Sequence, residues 1–324
     1  MPTVSVVIPT YNRDAVVTRA IDSVLTQTYD DFKIVVVDDC STDDTRAVVE
    51  EYDDDRIRYI RHDENQGACA ARNTGIEHSD GRYVAFLDSD DEWDETKLAK
   101  QVKCMERAPE SVGVVYIGYR VKRSDDVELG QVPSKRGDIH RDQLAKDWVS
   151  PTSAVLVDRE CFESVGTFDT DLAARQDYDM WLRLSRHYEF DYVKEALVTL
   201  HADGDDRITA DIQSRMDAHQ TILERVRADI KGLGVLDRRS ILASQYFSIA
   251  RYLQRHDERR RAAMFFARSL INNPFRSRTW LGAALLVLGV SPDDGVALRV
   301  KNRIKRLKLR LGSGRETNGG HHEN

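Results

Sequence analysis

Short apolar runs alternate with helical patterns along the first third of the chain. The runs are rich in Val, Ile and aromatic residues and end at turn or acidic residues, which is typical of strands buried on both faces. The four predicted strands are residues 4–8, 33–37, 56–60 and 82–87, and helical spacing separates them at 14–27 and 67–78. Strand and helix in repeat predict a mainly parallel sheet flanked by helices.

Polar clusters follow three of these predicted strands. They are Thr10-Tyr11-Asn12, Asp38-Asp39 and Asp88-Ser89-Asp90. Ligands of open parallel sheets bind beyond the carboxyl ends of the strands. We therefore expect the three clusters to meet at one edge of the sheet and to form a binding site there.

The pattern changes twice further along the chain. From residue 112, short strands mix with an amphipathic helix near 178–186, and beyond 205 only helical patterns follow. This predicts a body of residues 1–205 with halves 1–111 and 112–205, a helical extension of residues 206–290, and a basic amphipathic tail of residues 291–324 with a disordered end.

Composition and charge exclude several classes of protein. The chain has 324 residues, of which 41% are hydrophobic, so it is not a disordered chain. Its net charge of −7 combines −13 over residues 1–298 with +6 over 299–324. An acidic body argues against nucleic-acid binding and indicates a local anionic partner for the tail. No cysteine pair has CxxC spacing, so neither a zinc cage nor a disulfide framework is expected.

No membrane-spanning segment or leader peptide is expected. The uncharged run at 280–290 is shorter than the about 20 residues that a bilayer crossing needs. A strand-like run begins at residue 4 and leaves no room for a leader, which predicts a cytoplasmic protein.

The tail has the form of an interfacial helix. Residues 299–310 hold seven Lys and Arg and no acid, and an apolar stripe recurs at Val300, Ile304, Leu307 and Leu311. Such a helix lies on anionic lipid, which predicts a peripheral location at the cytoplasmic face of the cell membrane through 299–311. The alternative is a helix docked on the acidic body.

Five ordered motifs together resemble those of family 2 glycosyltransferases, which have the GT-A fold. The resemblance covers about residues 3–205 and implies a Rossmann-like sheet whose first half binds the nucleotide and whose second half faces the acceptor. It implies metal-dependent, inverting transfer of a sugar from a nucleotide-sugar donor, with UDP favoured, to a glycan hydroxyl. The motifs are VSVVIPTYNR (4–13), VVVDDCSTDDT (35–45), NQGACAARNTG (65–75), FLDSDDEWD (86–94) and RQDYDMWLRL (175–184).

The DSD sequence at 88–90 is the candidate metal site. Two carboxylates at one strand end repel each other unless a cation lies between them, and Mg²⁺ or Mn²⁺ bridging to a diphosphate would do so. We favour Asp90 first and Asp88 second, although adjacent Asp91 is a third choice and an ordinary Asp-rich turn is the alternative. The resemblance adds His201 as a possible ligand.

The donor nucleotide has candidate contacts in four places. A carboxylate at Asp39 can accept the N3–H of uracil, and the alternative is a helix cap. The resemblance places Pro9, Thr10 and Tyr11 at the nucleoside, and Arg72 near the uracil or the phosphates, with Asp88 close by. A surface ion pair is the simpler reading of Arg72.

Asp177 is the candidate catalytic base. Inverting transfer needs one base for the acceptor hydroxyl, and the resemblance gives this role to an Asp that opens a helix after the DxD motif. Here Gln176 stands where Glu is common, and helix capping is the alternative for Asp177. Trp148 and Gln176 are predicted on the acceptor side, where Trp148 could stack on a sugar or belong to the core.

The acceptor and three rival functions follow from the same residues. If the tail binds membrane, the acceptor is a saccharide linked to polyprenyl or dolichol phosphate, in cell-surface glycan or N-glycan assembly. A polyprenyl-phosphate sugar synthase of the same fold is one alternative. A sugar nucleotidyltransferase is the second, and it would need a Gly-rich, basic loop after the first strand that PTYNR does not provide. A non-catalytic scaffold that uses the helical C-terminus is the third alternative.

Overall fold

The computed structural model of the chain describes residues 2–124, 126–202 and 211–290. Within them, nine strands form one sheet in the order β3-β2-β1-β4-β8-β6-β9-β5, with β7 beside β6. The strands are β1 (Val4–Thr10), β2 (Phe32–Asp38), β3 (Ile57–Arg61), β4 (Tyr83–Phe86), β5 (Asp91–Trp93), β6 (Val112–Arg123), β7 (Asp126–Leu129), β8 (Val155–Asp158) and β9 (Glu189–His201).

Helices connect the strands and then make up the C-terminal region. They are α1 (Val17–Leu25), α2 (Thr45–Glu50), α3 (Ala68–Glu77), α4 (Lys97–Arg107), α5 (His140–Ala145), α6 (Glu160–Val165), α7 (Gln176–Leu184), α8 (Ile212–Asp229), α9 (Val235–Arg255), α10 (Arg259–Asn272) and α11 (Ser277–Val287). Short 3-10 turns add Thr152–Ala154 and Ile230–Gly232.

The first half of the sheet is the predicted parallel structure. β1 pairs in parallel with both β2 and β4, and β2 pairs in parallel with β3. Every residue of β1 is buried, which explains its continuous apolar sequence. The four strands predicted from the sequence are confirmed, and their carboxyl ends lie at one edge.

The second half of the sheet is mixed. β8 is antiparallel to β4 and β6, whereas β9 is parallel to β6 and antiparallel to the short β5. Strands β5 and β7, of three and four residues, were not predicted because runs this short carry no clear alternation. A mainly parallel sheet flanked by helices with a helical C-terminal region is nevertheless confirmed.

The chain divides into two compact units, Met1–Ile222 and the residues from Leu223 onward. In the second unit, α11 packs closely on α10, since a methyl group at Gly282 would lie 2.6 Å from the Phe266 ring. The Ser269 hydroxyl also donates to the Ala243 carbonyl of α9, at 2.7 Å. No helix among the described residues is both long and apolar enough to cross a bilayer. The basic tail, 291–324, lies outside the described residues.

Lys97 is a buried cation at the start of α4. Its ammonium lies 3.5 Å from the centre of the Trp93 ring and has no hydrogen-bond acceptor in the part of the chain that the structure describes. Burial therefore lowers the pKa of Lys97 well below its usual 10.5.

We expect Lys97→Met to stabilise the protein near pH 7. The change removes a buried, unsatisfied donor, which costs about 1 to 3 kcal/mol. Between the lowered pKa and 10.5 the unfolded chain binds more protons than the native one, so wild-type stability should rise with pH across this range. The Tm difference between variant and wild type, measured at pH 7 and pH 10, should shrink as the pH rises.

The matched control is Lys100→Met, since Lys100 lies one turn later in a partly exposed pair with Glu195. A lower Tm of Lys97→Met at pH 7 would show that the cation–ring contact stabilises the fold.

Candidate active site

The loops after β1 and β2 form the floor of the site. The Asp39 amide donates to the Thr10 carbonyl at 2.9 Å, and the Asn12 side chain accepts from the Thr42 amide at 2.8 Å. Asn12 and Cys40 have left-handed backbone conformations, with φ of 51° and 67°. Non-glycine residues in this conformation are costly and cluster at functional sites. The buried Thr10 hydroxyl has no hydrogen-bond partner among the described residues.

Asp38 has a structural role. Its carboxylate is fully buried and accepts from the Ser41 amide at 2.9 Å, from the Ser41 hydroxyl and from the Tyr59 hydroxyl. Arg61 adds an ion pair at 3.5 Å. These contacts fix the turn after β2.

Asp39 joins the end of β2 to the start of α3. Its two oxygens accept from the backbone amides of Gln66 and Gly67 at 2.9 and 2.7 Å, and from His62 Nδ1 at 2.8 Å. The amides at a helix N-terminus favour a negative charge. A carboxylate has about four acceptor positions, so these three donors leave one for a ligand.

Arg72 and Asp88 form a short ion pair at the centre of the site. An Arg72 terminal nitrogen lies 2.6 Å from Asp88 Oδ1. Burial alone would lower the pKa of Arg72, but the charges of Asp88 and, more weakly, of Asp177 outweigh it and raise that pKa. The buried Arg72 Nε has no hydrogen-bond acceptor among the described residues.

Ser153 holds the loop that contains the DSD sequence. Its hydroxyl accepts from the Asp88 amide at 3.1 Å and donates to the buried Asp91 carboxylate. Arg19 holds the same loop through the Asp90 carbonyl, at 2.7 Å. The loop is therefore fixed from two sides, and the half-buried side chains of Asp88 and Asp90 belong to a rigid segment.

His201 lies beside this loop at the end of β9. Its Nε2 is 2.8 Å from a carboxylate oxygen of Glu92. Asp91 pairs with Leu200 in the antiparallel ladder, so the same register continued by one residue places His201 opposite Asp90.

The oxygen donors around the loop suit a metal ion whose remaining coordination positions a substrate would fill. Within residues 2–124, 126–202 and 211–290, no three His, Cys, Asp or Glu side chains are arranged to hold a metal ion by themselves. Mg²⁺, however, is usually bound by one or two carboxylates together with substrate phosphates and water. The carboxylates of Asp88 and Asp90 fit that pattern.

Asp177 is in the first turn of α7, as predicted. The preceding loop is clamped to α3, because the Asn73 amide group donates to the Phe168 carbonyl at 2.9 Å and accepts from its amide at 2.8 Å. Arg72, the neighbour of Asn73, also lies over the Phe168 ring at 5.6 Å. The candidate base and the central ion pair thus share one support.

Arg175 starts α7 from a left-handed conformation, with φ of 59°. It donates to Nδ1 of the buried His219 on α8 at 2.9 Å. Burial lowers the pKa of His219 to about 2, and the charges of Arg175 and Arg215 add to this effect. The imidazole is therefore neutral, and its lone pair can hold Arg175 in place.

Asp147 is a second acid near Asp177. Burial raises the pKa of Asp147 to about 7, with a further contribution from the Asp177 charge, while Arg175 acts in the opposite direction. Next to it, the half-buried Trp148 lies between two ammonium groups, those of Lys135 at 5.2 Å and Lys146 at 4.4 Å.

The segment with these residues is tied to α7. The Trp148 amide donates to Gln143 Oε1 at 2.7 Å, and the Tyr178 hydroxyl donates to the Gln143 carbonyl. The predicted acceptor-side residue Gln176 donates to the Leu172 carbonyl at 3.0 Å and so braces the loop before the base.

The structure thus links most of the predicted residues through direct contacts or shared supports, and their roles remain predictions. Pro9 and Thr10 are the last residues of β1, and Tyr11 follows, half-buried. Sequence reasoning missed Ser153, Asn73, Asp147 and His219. Each acts through a partner distant in sequence. Asn73 lies within the motif 65–75, but nothing in that motif indicates Phe168 as its partner.

The comparisons with known proteins identify the family. The sequence profile of the family "Glycosyl transferase family 2" matches residues 5–166. The chain belongs to this family and is a glycosyltransferase.

Two curated bacterial relatives illustrate the likeness. The chain is 37% identical over 186 residues to a putative teichuronic acid biosynthesis glycosyltransferase, TuaG, of Bacillus subtilis, covering 56% of this chain and 72% of the relative. It is 32% identical over 181 residues to the UDP-Glc:alpha-D-GlcNAc-diphosphoundecaprenol beta-1,3-glucosyltransferase WfgD of Escherichia coli, covering 56% and 69%. The activities in these two names are those of the relatives.

Two solved structures share the fold. A fragment of S. aureus TarS, residues 1–349, matches with a TM-score of 0.62 and 19% identity over 88% of this chain and 86% of the fragment. The mannosyltransferase PcManGT from Pyrobaculum calidifontis, in complex with GDP-Man and Mn²⁺, matches with a TM-score of 0.57 and 22% identity, over 89% and 86%. At these identities the likeness establishes the GT-A fold alone.

We expect Asp147→Asn to remove a pH-dependent loss of stability. Between 3.8 and about 7 the native state binds more protons at Asp147 than the unfolded state, so this group's contribution to stability is lost as the pH rises through that range. The variant should melt about 3 to 6 °C above wild type at pH 8, and the difference should shrink towards pH 4.

Asp171→Asn, at an exposed position in the neighbouring loop, is the control and should show no such pH dependence. An equal Tm difference at both pH values would contradict the raised pKa of Asp147.

Proposed function

We propose that this glycosyltransferase moves a sugar from a UDP-sugar to a hydroxyl of a lipid-linked saccharide, with inversion and with the help of Mg²⁺ or Mn²⁺. The observation that carries the proposal is the convergence of Thr10, Asp39, Arg72 and Asp88 at the carboxyl ends of β1, β2 and β4. At this edge, the Thr10 hydroxyl and Arg72 Nε are buried polar atoms without partners among the described residues. Buried polar groups of this kind need a ligand or water to satisfy them.

In the proposed complex the loops after β1 and β2 hold the nucleoside. Asp39 would accept the N3–H of uracil at its remaining acceptor position, with Pro9, Thr10 and Tyr11 around the nucleoside. Arg72 would face the uracil carbonyls or the phosphates, since a guanidinium suits either partner. Residues 1–111 would then bind the donor.

Asp177 is the proposed base. Its carboxylate would take the proton of the acceptor hydroxyl while that oxygen attacks the anomeric carbon and the bond from this carbon to the UDP oxygen breaks. The negative charge moves to UDP, and the attack from the opposite face inverts the anomeric centre. Arg175, held by His219, and the Asn73 clamp keep Asp177 in position for this step.

Asp88 and Asp90 would hold the metal, with His201 as the further candidate. When bound, Mg²⁺ or Mn²⁺ supplies positive charge that stabilises the departing diphosphate. The support comes from the oxygen donors of the rigid DSD loop and from the Mn²⁺ in the complex of PcManGT. Asp88 would also face the nucleotide through its pair with Arg72.

The acceptor side would be residues 112–205, which hold Trp148 and Gln176. The name of WfgD specifies a saccharide on diphosphoundecaprenol as its acceptor. TarS has been crystallised with UDP-GlcNAc. These relatives support a UDP-sugar donor and a lipid-linked acceptor for this chain, in the synthesis of a cell-surface glycan.

We place the enzyme at the cytoplasmic face of the membrane, with the basic segment 299–311 on anionic lipid.

We expect Asp177→Asn to abolish transfer and to preserve donor binding. Loss of a general base lowers the rate by about 10²- to 10⁴-fold. A radiolabelled-sugar assay with a panel of UDP-sugars and lipid extracts measures transfer, and calorimetry with UDP should give a Kd within about twofold of wild type, or about 0.4 kcal/mol.

Asp171→Asn should keep full activity. Transfer by Asp177→Asn within threefold of wild type would exclude Asp177 as the base. A product that keeps the anomeric configuration of the donor, observed by NMR, would exclude the inverting mechanism.

We expect Asp90→Ala to reduce the metal-dependent part of UDP binding. A ligand that binds only the folded state raises Tm, so Mn²⁺ should increase the shift that UDP causes in wild type. In the variant, the shift with UDP and Mn²⁺ should approach the shift with UDP alone. Asp80→Ala, at an exposed acid ten residues earlier, is the control. An unchanged Mn²⁺ effect in Asp90→Ala would remove Asp90 from the metal site.

A further inference from the structure

The two units of the chain carry opposite charge. Residues 1–222 hold 27 Lys and Arg against 46 Asp and Glu, a net charge of −19. Residues 223–290 hold 13 against five, a net charge of +8. From Arg259 to Val290 there are six arginines and no acid. A cationic helical unit in an acidic protein indicates an anionic partner.

Three exposed apolar side chains of this unit lie where α10 meets α11, whereas Met264 on α10 and Val287 and Leu288 at the far end of α11 are exposed elsewhere. The exposed fractions are 70% for Ile271, 94% for Phe275 and 57% for Trp280. The start of α9 adds Leu236, which is 82% exposed. Large apolar residues that cluster on a surface mark an interaction site, whereas scattered ones do not.

Hydrogen bonds fix these residues as one corner. Arg239, in the second turn of α9, donates to the carbonyls of Ile271 and Asn272 at 2.6 and 3.1 Å, which brings the start of α9 to the end of α10. Trp280 Nε1 donates to the Pro274 carbonyl at 2.8 Å, so the indole folds back beside Phe275. We call Leu236, Ile271, Phe275 and Trp280 the apolar corner.

Two exposed arginines border the apolar corner. Arg278 lies two residues before Trp280, and Arg239, which donates to the Ile271 and Asn272 carbonyls, lies three residues after Leu236. Arg276 is half-buried and donates to the Ser244 hydroxyl, so it does not belong to this exposed set. Apolar and aromatic side chains beside exposed cations match a bilayer interface, where the rings enter the headgroup region and the cations face lipid phosphates.

We infer that the apolar corner of the helical unit docks on an anionic lipid bilayer and brings the enzyme to a lipid-linked acceptor. The inference deepens the proposed function, because it names the surface that would meet the membrane. The apolar corner lies within the residues that the structure describes, and it is a different surface from the basic segment 299–311.

The test is sedimentation of the full-length chain with vesicles, without nucleotide or acceptor. Wild type should bind vesicles of phosphatidylcholine and phosphatidylglycerol, and should bind pure phosphatidylcholine vesicles far less. Ile271→Ser/Phe275→Ser should lower the apparent affinity for anionic vesicles about tenfold or more, since two large apolar side chains no longer enter the bilayer. Brominated lipids should quench the fluorescence of Trp280, with Trp280→Phe to identify its signal.

The matched control is Val127→Ser/Leu129→Ser, which removes two exposed apolar side chains from β7 and should bind like wild type. Unquenched Trp280 fluorescence in vesicle-bound wild type would overturn the inference, because segment 299–311 alone could keep the vesicle binding of Ile271→Ser/Phe275→Ser equal to that of wild type. So would a wild-type dimer that this variant converts to monomers, because a second copy would then cover the corner. Vesicle binding does not require transfer, so lost activity with retained binding would count against the proposed function alone.

Discussion

The buried guanidinium of Arg72 is the constraint on which the candidate active site depends. A buried cation needs a close anionic partner, and Asp88 supplies it at 2.6 Å. This pair fixes the carboxyl end of β4 against α3, and Asp39 fixes the start of α3 against β2. The charge of Asp177 also reaches Arg72. Arg72 is thus the buried positive charge that offsets the carboxylates at this edge of the sheet.

The hydrophobic pattern predicted the parallel half of the fold well and the mixed half poorly. Strands β1, β2 and β4 are strongly apolar and almost entirely buried, so their burial is visible in the sequence itself. The residues of β3 are half-buried or exposed, and its Ile and Tyr residues are interspersed with arginines. β5 is a strand because it pairs with β9, about 100 residues later in the chain. Its own three residues show no strand pattern. Helix α4 was also missed, since its buried face includes the polar side chains of Lys97 and Gln101.

The candidate site shows the same division. Motifs identified the residues that follow strand ends, because topology alone brings those positions together. The supports of these residues could not be predicted. Ser153 reaches the DSD loop across 62 and 65 positions, and Asn73 reaches Phe168 across 95. Nothing in the sequence distinguishes His219 from other helix residues. Its role depends on burial, which keeps the imidazole neutral, and on its contact with Arg175, and both are features of the folded structure.

The two-point clamp between Asn73 and Phe168 constrains position 73 more strictly than position 168. Both hydrogen bonds go to the backbone of Phe168, so another residue at 168 that keeps the same backbone path would retain them. A residue without a side-chain amide at position 73 would remove both bonds and release the loop before α7 from α3. Exchange of residues is therefore tolerated on one side of the clamp and not on the other.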